Sequence, residues 1–202
     1  MTLWTRLSSE PIWGAARSAH QRGRGRIYHD WDRILRIYRR AETDLRLPYD
    51  RALDLAILSH SAVIDIGGDR RPRSAAWLRS RAGPDEPVER SCRMILAGPY
   101  GDLSDPRLPL LELSDLSDPE TAGRAIRDMA DQVQALTRLP RQDVMDGITS
   151  ELARIRRAVR AALPRIQDPD QRRVAERVIE GAVPKHEDNR KPKFLYFSQD
   201  VV

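Results

Sequence analysis

Residues 144–163 form the stretch VMDGITSELARIRRAVRAAL, which carries the clearest amphipathic pattern of the chain. Apolar residues recur in it at intervals of three or four, which is the spacing of one face of an α-helix. They are Val144, Ile148, Leu152, Ile155, Val159 and Leu163. The arginines of the stretch fall largely off this face, and we interpret them as a solvated basic surface rather than a nucleic-acid contact. The pattern predicts a long amphipathic helix.

Helical signals continue towards the N-terminus. Before residue 40, one helical face is expected to carry Trp31, Ile34, Leu35 and Tyr38. Pro48 is expected to open the next helix, because proline is favoured in a first helical turn. That helix contains the apolar run 53–58 and ends near His60.

Towards the C-terminus, two pairs of residues mark helix starts. Asp118-Pro119 and Asp168-Pro169 each place a capping carboxylate before a proline. Shorter helices are predicted at 74–81, 88–96 and 108–116. No segment alternates convincingly between apolar and polar residues, so we predict an all-α fold.

The length of 202 residues is enough for one domain with a sizeable core. We expect a single helical domain at 1–183, followed by a tail at 184–202 that is first basic and then apolar. The apolar run 194–197 is expected to dock on a neighbouring chain or on the domain itself. A homo-oligomer is therefore left open.

The composition narrows the class of function. The net charge of +5 comes almost wholly from arginine and favours acidic partners, nucleotides or nucleic acid among them. An aromatic content of 5% gives no indication of stacking platforms for single-stranded nucleic acid. Cys92 is the only cysteine, so we interpret it as a core residue and expect a reducing, cytoplasmic location. The N-terminus has no long apolar run, and no membrane span is expected.

Three motifs carry the chemistry of the chain. They are RIYHDWDRI at 26–34, HSAVID at 60–65 and DRRPRSA at 69–75. Together they resemble the HD-superfamily predicted metal-dependent phosphohydrolases, which carry Arg-x-Tyr-His-x-x-x-His-Ile, His-Asp-Ala-Val-Tyr-Asp and Asp-Asn-Glu-x-x-Ser-Ala. The resemblance covers about residues 22–116. It implies an HD-domain-like helical bundle with a metal-dependent phosphohydrolase site.

The positions that hold the metal in that family are exchanged here. Arg33 stands at the second histidine, Ser61 at the aspartate of the His-Asp doublet, and Arg71 at the glutamate. The family supplies its last ligand from an Asp-x-Asp-Leu helix, and the best match, residues 113–116, places Leu113 at the first aspartate. Of the four usual ligands, the resemblance leaves only His60.

These exchanges favour an anion over a cation. Divalent metals need several carboxylate or imidazole ligands, whereas arginine is always protonated and has no acceptor atom. Arginine does bind phosphate through bidentate, charge-assisted hydrogen bonds. We therefore expect the protein to bind a small phosphorylated ligand or nucleotide, without a cofactor or metal. No catalytic residue is predicted. The predicted ligand-binding residues are Arg26, Tyr28, His29, Arg33, His60, Ser61 and Arg71.

We expect smaller roles for several polar residues near these motifs. Arg22 and Arg24 lie in a glycine-rich entry loop that is expected either to close over an anion or to remain solvated. Asp65 and Asp69 are expected to fix the loop that carries Arg71. His20 is interpreted as an ordinary surface residue, and so is His186.

Two other functions remain open at this point. One is an active phosphohydrolase or nucleotidase that holds a divalent metal through a shifted ligand set drawn from His29, His60, Asp65 and Asp115. The other is an inert helical scaffold for protein interaction, using the stripe at 144–163 and the tail run at 194–197. Catalytic inactivity with phosphorylated-ligand binding is the function that we predict.

Overall fold

The computed structural model describes residues 3–21, 25–64, 70–97 and 103–182. Over these residues the chain forms α-helices and short 3₁₀ segments with no strand, which confirms the all-α prediction. The helices are α1 (Pro11–Ala19), α2 (Trp31–Thr43), α3 (Arg51–Ser59), α4 (Arg70–Ala82), α5 (Glu86–Ala97), α6 (Arg107–Ser114), α7 (Pro119–Thr137), α8 (Arg141–Ala162) and α9 (Pro169–Gly181), with 3₁₀ segments at Leu3–Ser9 and Leu163–Arg165. The tail at 184–202 lies outside the described residues.

Both aspartate–proline helix starts are confirmed. The Asp118 carboxylate accepts a hydrogen bond from the Glu120 backbone N–H at 2.9 Å, at the start of α7. The Asp168 carboxylate accepts from the N–H groups of Asp170 and Gln171 at 2.8 and 3.2 Å, at the start of α9. Each carboxylate satisfies N–H groups that have no partner within the helix.

The predicted start of α3 at Pro48 is wrong. The helix begins at Arg51, and Asp50 caps it by accepting from the Ala52 N–H at 2.9 Å. Asp50 is held in turn by Arg107, whose guanidinium lies 2.8 Å from its carboxylate. A proline offers no such acceptor side chain, so the cap and not the proline sets the first turn.

The buried face of α2 differs from the predicted one. It contains Ile34, Ile37, Tyr38 and Ala41, whereas Leu35 is 39% exposed. Arg33 is also buried, because it precedes Ile37 by four residues and therefore lies on the same face. A charged side chain thus enters the core from α2.

The segment before residue 21 is folded onto α2. Trp13 of α1 makes an edge contact with Trp31, with ring centroids 5.0 Å apart, and stacks on Tyr38 at 5.9 Å. At the end of α1, the carbonyl of His20 accepts from the Trp31 N–H at 2.9 Å. This contact brings His20 to the beginning of α2.

The stripe at 144–163 lies on α8, except for Leu163, which begins the 3₁₀ segment after it. Val144, Ile148, Leu152 and Val159 are buried, and α8 packs against α6, α7 and α9. Helix α6 lies between α2, α3, α8 and α9 and buries most of its residues. Cys92 is buried, as predicted. None of the described helices is long and apolar enough to span a membrane.

Candidate functional site

Arg26 joins two of the motifs. Its Nη1 donates to the carbonyls of His29 at 3.0 Å and Ser61 at 2.8 Å, and its Nη2 donates to the carbonyl of Ala62 at 2.6 Å. Burial, with the charge of Arg70 nearby, lowers the pKa of Arg26 to about 10. The guanidinium of this predicted ligand-binding residue therefore connects the loop before α2 to the residues after α3.

Gln132 fixes the backbone of the first motif. Its side-chain Oε1 accepts from the N–H groups of Ile27, Tyr28 and His29, each at 3.0 Å. Its Nε2 lies 2.7 Å from Nδ1 of His29. Gln132 lies outside the three motifs, so its role was not predicted. The sequence does place a glutamine three residues after Met129, on the apolar side of α7, and a buried amide there needs hydrogen-bond partners.

Arg33 and His60 are in direct contact. Nη1 of Arg33 lies 2.8 Å from Nε2 of His60, and Nδ1 of His60 lies 2.9 Å from the carbonyl oxygen of Ile57. A guanidinium only donates, so Nε2 accepts and the proton of His60 is on Nδ1. Burial and the charge of Arg33 hold the pKa of His60 well below its ordinary value. His60 is therefore a neutral imidazole.

Two carboxylates lie beside this pair, one from α6 and one from the residue that follows it. Oδ2 of Asp115 is 3.7 Å from Nε of Arg33, and Oδ1 accepts from Nε of Arg36 at 3.1 Å. Oε1 of Glu112 is 3.6 Å from Nε2 of His60. Although burial opposes it, the Tyr28 phenol, Glu112 and Asp115 together hold the pKa of Arg33 above its ordinary value. Arg33, only 2% exposed, is thus a permanent cation inside the protein.

This arrangement does not fit a divalent metal. The guanidinium of Arg33 lies within 4 Å of both His60 and Asp115, and the acceptor nitrogen of His60 already takes its hydrogen bond. In the part of the chain that the structure describes, no group of three or more His, Cys, Asp or Glu residues has the arrangement of a metal site.

The interpretation of His20 as a surface residue is wrong. Its side chain is fully buried, with Nδ1 2.8 Å from the carbonyl oxygen of Ala16 and Nε2 3.2 Å from Oγ of Ser61. The ring lies between α1 and the residues that follow α3, and both of its nitrogens have partners there. Burial lowers the pKa of His20 to about 3. His20 and Ser61 therefore extend the polar cluster towards α1.

Arg70, the first residue of α4, is a further cation of the cluster. Its side chain is partly buried, and no side chain among the described residues accepts a hydrogen bond from it. Burial and the charges of Arg33 and Arg71 hold its pKa below the ordinary value, against the effect of Glu112. Arg71 follows on α4 and is also partly buried.

The structure therefore brings Arg26, Tyr28, His29, Arg33, His60 and Ser61 into one cluster, with Arg70 and Arg71 at the start of the adjoining helix. Arg22, Arg24, Asp65 and Asp69 lie outside the described residues, as does His186. No protein-family model, curated protein or solved structure matches this chain.

Proposed function

We propose that this protein is a catalytically inactive relative of the HD phosphohydrolases that binds a phosphorylated, nucleotide-class ligand without a metal. The observation that carries the proposal is the buried Arg33 guanidinium, which contacts His60 and Asp115 and supplies a permanent positive charge there. The proposed ligand-binding residues are Arg26, Tyr28, His29, Arg33, His60, Ser61 and Arg71, and we add Arg70.

Inactivity is supported by the state of the buried histidines. A hydrolase needs a group that accepts a proton from the attacking water, or a metal that activates it. The acceptor nitrogen of His60 is occupied by Arg33, and that of His29 by the amide of Gln132. Nε2 of His20 faces the Ser61 hydroxyl. None of the three imidazoles offers a free basic nitrogen.

Anion binding is supported by the surroundings of Arg70. This guanidinium is partly buried. Besides burial, repulsion from Arg70 lowers the pKa of Arg26, and repulsion from Arg33 and Arg71 lowers the pKa of Arg70. A phosphate would relieve that repulsion and accept hydrogen bonds that no described side chain accepts from Arg70.

Calorimetric titration of adenosine and guanosine mono-, di- and triphosphates, with EDTA present, tests the proposal. We expect binding by the parent protein and about 1.5 kcal/mol or more of lost affinity in Arg70→Gln, the scale of a hydrogen bond to a charged group. The matched control is Arg93→Gln, which removes an exposed arginine on α5 and should bind like the parent.

Two results would contradict the proposal, and each would favour a different function. Brisk metal-dependent nucleotide hydrolysis that is abolished by His60→Ala would identify an active phosphohydrolase. Absence of binding by every phosphorylated compound would favour the interaction scaffold.

A further inference from the structure

The side-chain amide of Gln132 has one possible orientation. Three backbone N–H groups, those of Ile27, Tyr28 and His29, converge on one of its atoms at 3.0 Å. Only the amide oxygen accepts hydrogen bonds, so that atom is Oε1. The NH₂ group must then be the atom that faces Nδ1 of His29 at 2.7 Å.

This orientation fixes the position of the proton on His29. The amide nitrogen only donates, so Nδ1 of His29 must accept and carries no proton. Burial and the charges of Arg70 and Arg33 hold the pKa of His29 well below its ordinary value, so the ring is neutral. A neutral imidazole has one proton, which is therefore on Nε2.

His29 differs in this respect from the other described histidines. Nδ1 of His20 and Nδ1 of His60 each lie within 2.9 Å of a carbonyl oxygen, which places their protons on Nδ1. No described residue accepts a hydrogen bond from the Nε2–H of His29, whose hydrogen bonds involve its backbone groups and Nδ1. The described part of the chain therefore contains one imidazole of the opposite tautomer, whose donor has no described acceptor.

Other unused donors lie close by. The Tyr28 hydroxyl is buried near the Arg33 guanidinium, which cannot accept its proton, and no described residue accepts a hydrogen bond from it. The Tyr28 ring packs against the His29 ring with centroids 4.8 Å apart. The charge of Arg70 acts on both residues. Leaving donors unpaired inside a protein costs free energy, and an anionic oxygen would satisfy several of them at once.

We propose that Gln132 is a positioning residue, which holds His29 as a neutral Nε2–H donor for a phosphoryl oxygen beside Tyr28 and Arg70. The inference rests on the proposed function, because it names the hydrogen-bond donors of the same site. Gln132 reaches the ligand only through His29.

The tautomer is read directly from long-range ¹H–¹⁵N spectra of the imidazoles, using the full chain. We expect the Nε2–H pattern for His29 and the Nδ1–H pattern for His20 and His60, which serve as internal controls. An Nδ1–H pattern for His29 in the parent protein overturns the inference, and this measurement requires no variant.

Gln132→Glu tests the role of the amide. A carboxylate still accepts from the three backbone N–H groups but cannot donate to Nδ1, so we expect the ¹⁵N shift of Nδ1 to move to that of a protonated ring nitrogen. An unchanged Nδ1 shift in the folded variant would show that Gln132 does not place the proton.

Addition of adenosine diphosphate or inorganic phosphate tests the donor role. We expect the His29 Nε2 resonance to shift to saturation while those of His20 and His60 stay in place. If calorimetry detects binding but the His29 resonance does not move, the inference fails and the proposed function stands. If calorimetry detects no binding, the donor role and the proposed function both fail.

Discussion

A buried arginine that contacts a histidine is the decisive feature at the scale of single residues. Arg33 lies on the inner face of α2 because of its four-residue spacing from Ile37. An isolated charge in this position would cost several kcal/mol, and Asp115, His60 and the Tyr28 ring offset that cost. The same contacts make Arg33 part of the folded core.

The first prediction concerns the stability that Arg33 provides. Arg33→Met leaves the buried Asp115 carboxylate with Arg36 as its one remaining cationic contact among the described residues, and leaves His60 without its donor. We expect the free energy of unfolding to fall by about 3 kcal/mol in urea titrations. Arg39→Met, at an exposed position of α2, is the control. A loss below about 1 kcal/mol would contradict the role of Arg33 as a buried counter-charge.

The second prediction follows from the position of the guanidinium. Arg33→His removes the cation and adds an imidazole near His60, Asp115 and Glu112. We expect the variant to bind about one Mn²⁺ per chain, because it supplies the imidazole and carboxylate ligands that such ions need. Calorimetry with Mn²⁺ measures this, and the parent should show no binding. Retention of the metal when His60→Ala is added would place the ion elsewhere.

At the scale of helices, α6 and α3 place their acidic side chains in different surroundings. Helix α6 is apolar between Arg107 at its start and Glu112 in its last turn, and it places Glu112 and the following Asp115 beside Arg33 and His60. Helix α3 is buried almost all round and carries one charged residue, Asp54, into the core. The Asp54 carboxyl accepts from the Tyr38 hydroxyl at 2.6 Å, and its Oδ2 has no partner.

The third prediction concerns the pH dependence that Asp54 imposes. Burial raises the pKa of Asp54 to about 7, so the folded protein keeps a proton that the unfolded chain loses near pH 4. The stability from this proton is fully present below pH 4 and is lost as pH rises towards 7, at about 1.4 kcal/mol per pH unit.

The buried neutral histidines make the stability of the protein depend on pH in the opposite direction. The lowered pKa of His20, about 3, means that its contribution is present above pH 6.5 and is lost as pH falls towards 3. We therefore expect Asp54→Asn to gain stability relative to the parent between pH 4.5 and 7, as measured by urea unfolding in that window. A constant difference between the two proteins across this window would show that Asp54 is ionised in the folded state.

At the scale of the whole molecule, the sequence predicted the helices better than the site. Periodicity and capping residues located α7, α8 and α9, because these signals are local. The start of α3 was misplaced because the prediction relied on Pro48 as the first-turn signal, whereas Asp50, two residues later, caps the helix. His20 and Gln132 were missed because their partners are distant in sequence, at Ser61 and at residues 27–29.

The sequence predicted which residues lie close together better than it predicted how they contact one another. The motifs indicated Arg33 and His60, which lie 2.8 Å apart. The Arg33 guanidinium is buried against Asp115, and no local sequence pattern predicts this tertiary contact. The contribution of Arg70 and the tautomer of His29 likewise depend on which side chains meet in the folded chain.

The fourth prediction concerns the activity of the whole protein. We expect nucleotide hydrolysis to stay at the level of a protein-free control with Mg²⁺, Mn²⁺, Fe²⁺ or Zn²⁺ added, because the buried imidazoles have no free acceptor nitrogen. Phosphate release over several hours measures this, with EDTA as the comparison. Turnover that depends on one of these metals would contradict it.

Arg33 also sets how the site depends on the cell around it. A metal centre is completed after synthesis and is lost when the ion is scarce, chelated or replaced by a competitor. Here the positive charge between His60 and Asp115 is encoded in the polypeptide and arrives with every translated chain. Under the proposed metal-free function, the charge of this cluster would be the same in metal-starved and metal-replete cells.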